Sequence, residues 1–158
     1  MASGRAHSIA SLAVGGVTAV VYYGFAGDAP VAGWCAAGGL SAVLLSPDLD
    51  HPSGYIGLAI LRRLPLGKAW EFIWRTYWTP YRWLVGTFTR RTYGAGDSHR
   101  SFLSHLPGIG TALRLAWLLW IPLVFGWVSL PELCGAWPAL ATLLACDVMH
   151  SVMDSVMW

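Results

Sequence analysis

Apolar residues are concentrated in four stretches of the chain, 9–26, 29–45, 115–131 and 133–146, which contain 18, 17, 17 and 14 residues and no charge. A helix needs roughly 17–25 apolar residues to span a bilayer, so the first three stretches are long enough and the fourth is marginal. Short turns around 27–30 and 130–132 separate the members of each pair. We therefore predict an all-α integral membrane bundle of about four helices, forming a single domain over 1–158.

The segment 48–110, between the second and third stretches, carries eight of the ten basic residues. The positive-inside rule places this segment, and with it both termini, on the cytoplasmic side of the inner membrane. Within it, aromatic residues alternate with arginines over 68–89. That mixture is typical of a helix lying in the membrane interface, or of an aromatic lid packed on the bundle. Pro80 is expected to break it into two helices.

Composition agrees with a membrane protein. Hydrophobic residues make up 56% of the chain and charged residues 11%, and ten tryptophans and six tyrosines favour a lipid–water interface. A net charge of +2 is too small to indicate nucleic acid as a partner. The three cysteines lack CxxC spacing, so we expect them to be small buried apolar residues.

Histidine and aspartate residues are clustered at the ends of the predicted helices. Under the predicted topology all of these ends reach the cytoplasmic face. Imidazole and carboxylate groups are ligands for zinc, manganese or iron, so the pattern predicts a site for one or two divalent transition-metal ions. The candidate ligands are His7, Asp48, Asp50, His99, His105, His150 and Asp154.

The sequence DVMHSVMD gives the most specific local signal. Asp147, His150 and Asp154 are spaced i, i+3, i+7 and so share one face of a helix. His150 and Asp154 can bind one ion from adjacent turns, with Asp147 as a ligand or as a group that orients the imidazole. Taken singly, each cluster also has a simpler interpretation: a hydrogen-bonded core histidine, or an aspartate that caps a turn. Arg100 beside His99 is either a phosphate-binding group or a topology charge.

The segments SGRAH, SPDLDHPS, WEFIWRTYWTPYRW and HRSFLSHLPGIGTALR together resemble a bacterial family of integral-membrane metal-binding proteins of unknown function. The same skeleton is similar to the YdjM-like membrane-bound metal-dependent hydrolases. More remotely, it is similar to the helical zinc phospholipase C and nuclease group. The resemblance covers nearly the whole chain and implies that the seven candidate ligands bind metal.

These observations and the resemblance predict a membrane-bound, metal-dependent hydrolase acting on a phosphoester, with membrane lipid as its surroundings and possible substrate. Asp50 or Asp147 is expected to act as general base and Arg100 to bind the phosphate. The alternative is a non-enzymatic membrane protein with a structural metal site. A cation transporter is a weaker alternative, because the ligands lie at helix ends and not at mid-membrane depth.

Overall fold

The computed structural model describes residues 4–47, 62–93 and 106–156. Over these residues the chain is all-α, as predicted, with no strand. The six helices are α1 (Gly4–Ala26), α2 (Ala29–Leu44), α3 (Gly67–Tyr93), α4 (Ile109–Val124), α5 (Leu130–Gly135) and α6 (Trp137–Val156).

The helices α1, α2 and α6 pack closely because small residues line their contacts. A Cβ atom added to Gly15 of α1 would lie 2.6 Å from the Cα of Gly39 in α2, and one added to Gly38 would lie 2.4 Å from the Ala139 carbonyl oxygen in α6. These glycines therefore allow backbone-to-backbone approach of all three helices. The turn between α1 and α2 uses Gly27 at φ 66° and the side chain of Asp28, which accepts a hydrogen bond from Val31 N–H.

The aromatic segment forms one continuous helix, α3, with Pro80 inside it. The expectation that Pro80 breaks this helix is wrong. Trp78 and Tyr81, on either side of the proline, are both buried, while Pro80 itself is exposed. Burial of these large side chains offsets the one backbone hydrogen bond that proline removes.

The helix α3 packs on α2, α6 and α4 through its buried aromatic face. Its buried residues Trp78, Tyr81 and Val85 form a cluster with Ala42 and Leu45 from the end of α2 and with Leu143 and Cys146 of α6. It also joins α4, because the Tyr77 hydroxyl donates to the Trp117 carbonyl at 2.6 Å and the Trp117 indole donates to the Tyr77 carbonyl at 3.1 Å. The lid interpretation of the aromatic segment is thus supported by direct packing.

The region predicted as a simple turn near 130–132 contains the short helix α5. Its start is stabilised by a capping box, in which Ser129 and Glu132 bond each other's backbone N–H groups. The last helix, α6, then runs well beyond the apolar stretch 133–146, to Val156. Asp147, His150 and Asp154 therefore lie in the last three turns of α6.

Among the described residues, two helical spans are long and apolar enough to cross a membrane, Arg5–Ala26 and Trp137–Val156. The apolar helices α2 and α4 have 16 residues each. At 1.5 Å per residue each is about 24 Å long, shorter than the ~30 Å hydrocarbon core. A four-helix spanning bundle thus remains a prediction.

Candidate metal centre

Two histidines and one aspartate come together where the first turns of α1 meet the last turns of α6. The Nε2 atom of His7 lies 3.2 Å from Oδ1 of Asp154, and that of His150 lies 3.3 Å from Oδ2 of the same carboxylate. The two imidazole rings stack, with centroids 3.7 Å apart and planes inclined by 19°. His7 and His150 are 5% and 4% exposed, whereas the Asp154 side chain is 20% exposed. The group is therefore closed on the protein side and open at its carboxylate.

The packing of α1 on α6 explains why residues so distant in sequence meet. His7, Ser11 and Gly15 are buried at intervals of four along one face of α1. The Cys146 thiol lies 3.6 Å from the Ser11 carbonyl oxygen, its hydrogen-bond acceptor. One turn further along each helix, His7 reaches His150. Each histidine thus lies one turn beyond a close contact between α1 and α6. Because the two helices are held together at that contact, the direction of each imidazole is fixed.

The spacing of these donor atoms suits a metal ion. Two ligand atoms each about 2.1 Å from a tetrahedral ion are about 3.4 Å apart, close to both Nε2–carboxylate distances. One donor atom from each of the three residues can be chosen so that all lie within 4.8 Å of one another. Two neutral imidazoles and one carboxylate form a ligand set for zinc, and also for non-haem iron. The residues therefore fit a divalent transition metal and supply one negative charge toward it.

Asp147 lies one turn earlier on the same face of α6, but its carboxylate has other partners. It accepts hydrogen bonds from the Thr111 hydroxyl and the Arg114 guanidinium of α4, and it forms an ion pair with Arg114. Asp147 and Arg114 are each 2% exposed. The cation of Arg114 balances the carboxylate, so this pair ties α4 to α6 without an ion. The role of Asp147 as ligand or general base stays a prediction.

The described residues thus bring together His7, His150 and Asp154 out of the seven predicted ligands. The other predicted site residues, Asp48, Asp50, His99, Arg100 and His105, lie outside the described residues. The helices next to them contact α6 close to the centre. Leu45 shares a buried cluster with Cys146, and Thr111 binds Asp147.

Arg114 and Thr111 are the residues that reasoning from the sequence missed. Arg114 stood out only as the one basic residue beyond position 100. The usable signal was a single arginine in an otherwise apolar helix, since such a charge needs a buried partner. The partner itself, Asp147, is 33 residues away and is set by helix packing.

Buried imidazoles and a carboxylate with ligand spacing, held at the ends of packed helices, define an all-α metal-binding protein. The chain belongs to the family described as uncharacterized metal-binding protein (DUF2227), whose family model matches residues 2–157. No curated protein and no solved structure matches the chain. Metal binding by a family of unknown function, predicted from the motifs, is confirmed at this level.

Proposed function

We propose that this protein is a metal-dependent hydrolase embedded in the inner membrane, and that it cleaves a phosphoester, in a lipid, at the cytoplasmic face. The observation that carries the proposal is the convergence of His7, His150 and Asp154. Histidine and carboxylate ligands are the set that catalytic zinc and non-haem iron sites use, whereas structural zinc sites are built mainly from cysteine with histidine. The similarity to YdjM-like hydrolases supports the same reaction class.

The surface of α1 supports the membrane location. Only 11% of the most apolar 18-residue stretch of this helix is buried inside the protein. Val17, Val20 and Phe25 are 63%, 72% and 91% exposed. Exposed apolar residues in such number are costly in water and favourable in hydrocarbon. The basic segment 48–110 supports a cytoplasmic position for the metal centre, by the positive-inside rule.

Zinc is the ion we propose, with manganese or iron as alternatives, because imidazole suits all three. When bound, such an ion polarises a phosphoryl oxygen and lowers the pKa of a bound water. His7 and His150 would hold it through ring nitrogens, and Asp154 would neutralise part of its charge. Asp48, His99 and His105 are proposed to complete the site, for one or two ions, which leaves the Asp50 carboxylate for proton transfer.

The general base is proposed to be Asp50 in preference to Asp147. A general base needs an oxygen that the attacking water can reach, and the Asp147 carboxylate is 2% exposed and bound by Arg114 and Thr111. Asp147 instead holds α4 against α6, one turn from His150. Arg100 is proposed to bind the phosphate, since its planar guanidinium matches two phosphoryl oxygens.

The proposal is tested by hydrolysis of bis(p-nitrophenyl) phosphate and of a phospholipid by purified protein in detergent, with added zinc or manganese. We expect His150→Ala to abolish hydrolysis and Asp50→Asn to slow it by about 10²–10⁴-fold, the usual contribution of a general base. Ser155→Ala, one residue beyond Asp154 and exposed, is the matched control and should keep full rate.

Two results would contradict the hydrolase. One is hydrolysis that survives both chelation and His150→Ala. The other is a protein that binds metal tightly, unfolds on chelation and hydrolyses neither substrate, as the alternative of a structural metal site requires.

A further inference from the structure

A groove with apolar walls lies between α3 and α4. Its volume is about 560 Å³, within the range of small-molecule sites. Leu84, Val85 and Phe88 line it from α3, and Leu113, Ala116 and Trp120 from α4. On both helices these positions recur at intervals of three and four over about two turns, or roughly 10 Å. The groove is therefore formed by one face of each helix.

The walls of the groove exclude a polar ligand. None of the described residues that line it is charged. The Trp117 indole, which also lines it, already donates to the Tyr77 carbonyl. Tyr81 also lines it, but the surface of the groove is almost wholly apolar, whereas sites for polar metabolites have a few convergent polar groups that fix orientation. An apolar chain is therefore the occupant that suits these walls.

Charge on α3 indicates what the occupant carries at its end. This helix has five basic residues and one acidic residue, Glu71. Glu71 is already paired with Arg62 and Arg75. The helix that forms one wall thus has an excess of positive charge that attracts an anionic head group. Its basic residues are Lys68, Arg75, Arg82, Arg90 and Arg91.

The groove is also connected to the metal centre through α4. Leu113 lines the groove, and the next residue, Arg114, binds Asp147 three positions before His150. A molecule whose chain lies along Leu113 therefore contacts the same turn of α4 that supports the metal-binding end of α6.

We propose that this groove binds one acyl chain of a lipid phosphate, with the anionic head group toward the arginines of α3. The inference rests on the proposed function and deepens it, because it names a lipid with a phosphate head group as the substrate class. The apolar walls provide affinity for the chain, and the arginines of α3 provide preference for an anionic head group over a zwitterionic one.

The test uses full-length protein in phosphatidylcholine vesicles that contain a phosphatidic acid with a photoreactive diazirine near the end of one acyl chain. After illumination, adducts are mapped by mass spectrometry. We expect adducts on Phe88, Leu113 and Ala116 to exceed those on Val20 of α1, although Val20 is 72% exposed and Phe88 only 53%. Adducts distributed in proportion to exposure would overturn the proposal.

A substitution that fills the groove makes the test sharper. Ala116→Trp should lower groove adducts about tenfold, the factor that corresponds to about 60 Å² of lost apolar contact. Ala13→Trp, at an exposed alanine of α1 outside the groove, is the matched control and should leave them unchanged. Unchanged groove labelling in Ala116→Trp, or a groove filled by a second copy of the chain and seen as crosslinked dimers, would also overturn the proposal.

Metal content measured on the same samples separates the two proposals. If the protein has its full metal content but photolabelling shows no preference for the groove, the result contradicts the lipid site and not the proposed hydrolase. Groove labelling that persists in a protein without metal or hydrolysis counts against the proposed hydrolase and leaves the lipid site standing.

Discussion

Two groups of buried polar side chains lie one turn apart on the same face of α6, and their charges are balanced in different ways. Asp147 meets a guanidinium and a hydroxyl, so its charge is neutralised by the protein itself. Asp154 meets two imidazoles, which in the neutral form supply no charge. The first group is complete without an ion, and the second gains a charge partner when a divalent metal binds. Residue types alone do not distinguish a ligand from a structural carboxylate; the partner does.

The largest effect on stability is expected from removing Arg114, which balances the charge of Asp147. Arg114→Leu leaves the Asp147 carboxylate buried without its cation, which should lower the free energy of unfolding by about 3–5 kcal/mol. The measurement is denaturant-induced unfolding in detergent. Replacing both residues, as Arg114→Leu with Asp147→Leu, should recover most of this loss because neither charge remains. A single variant as stable as wild type would mean that Arg114 does not balance Asp147.

Removal of metal by a chelator should affect only the group formed by His7, His150 and Asp154. Free metal at 100 times its dissociation constant stabilises the folded state by about 2.7 kcal/mol, so a chelator should lower Tm of wild type by the corresponding amount. His150→Ala should show no such shift. The double variant at positions 114 and 147 should still respond, since its metal ligands are intact. A chelator shift equal in wild type and His150→Ala would place the metal elsewhere.

A smaller effect is expected at Thr111. Thr111→Val keeps the shape of the side chain and removes its hydrogen bond to Asp147, at a cost of about 1.5 kcal/mol for a bond to a charged acceptor. Thr142→Val is the matched control, because Thr142 is also buried and its hydroxyl donates to the Pro138 carbonyl within its own helix. Equal losses in the two variants would mean that the Thr111 bond has no special value.

The smallest effect concerns a surface group outside both sites. The hydrogen bond from Arg62, and its charge together with that of Arg75, hold the pKa of Glu71 below its usual value. A lowered pKa in the folded state stabilises the protein above the ordinary glutamate pKa, and this stabilisation is lost as pH falls through the folded pKa. Stability of wild type should therefore decline more steeply with acid than that of Glu71→Gln.

The measurement is Tm against pH at low and high salt. Salt should reduce the difference between the two proteins, since exposed ion pairs are screened. Parallel profiles at low salt would show that the Arg62–Glu71 pair does not form in solution.

The sequence was sufficient for the helical class and for the shared face of two candidate ligands. Spacing alone placed His150 and Asp154 on one face, because a helix repeats every 3.6 residues. His7 joins them through packing of α1 on α6, for which the sequence signal is a series of small residues too common to be diagnostic. The Asp147–Arg114 pair depends on how α4 lies against α6, which no local pattern encodes. The continuity of α3 through Pro80 likewise depends on tertiary burial of Trp78 and Tyr81.

The most direct test of the account is the metal content of detergent-purified protein by elemental mass spectrometry, for wild type, His7→Ala, His150→Ala and the control Ser155→Ala. We predict one or two equivalents of a transition metal in wild type and in the control, and loss of at least one equivalent in both histidine variants. The same metal content in all four proteins, or a folded wild type that neither contains nor takes up zinc, manganese or iron, would contradict the assignment of His7, His150 and Asp154 as a metal centre.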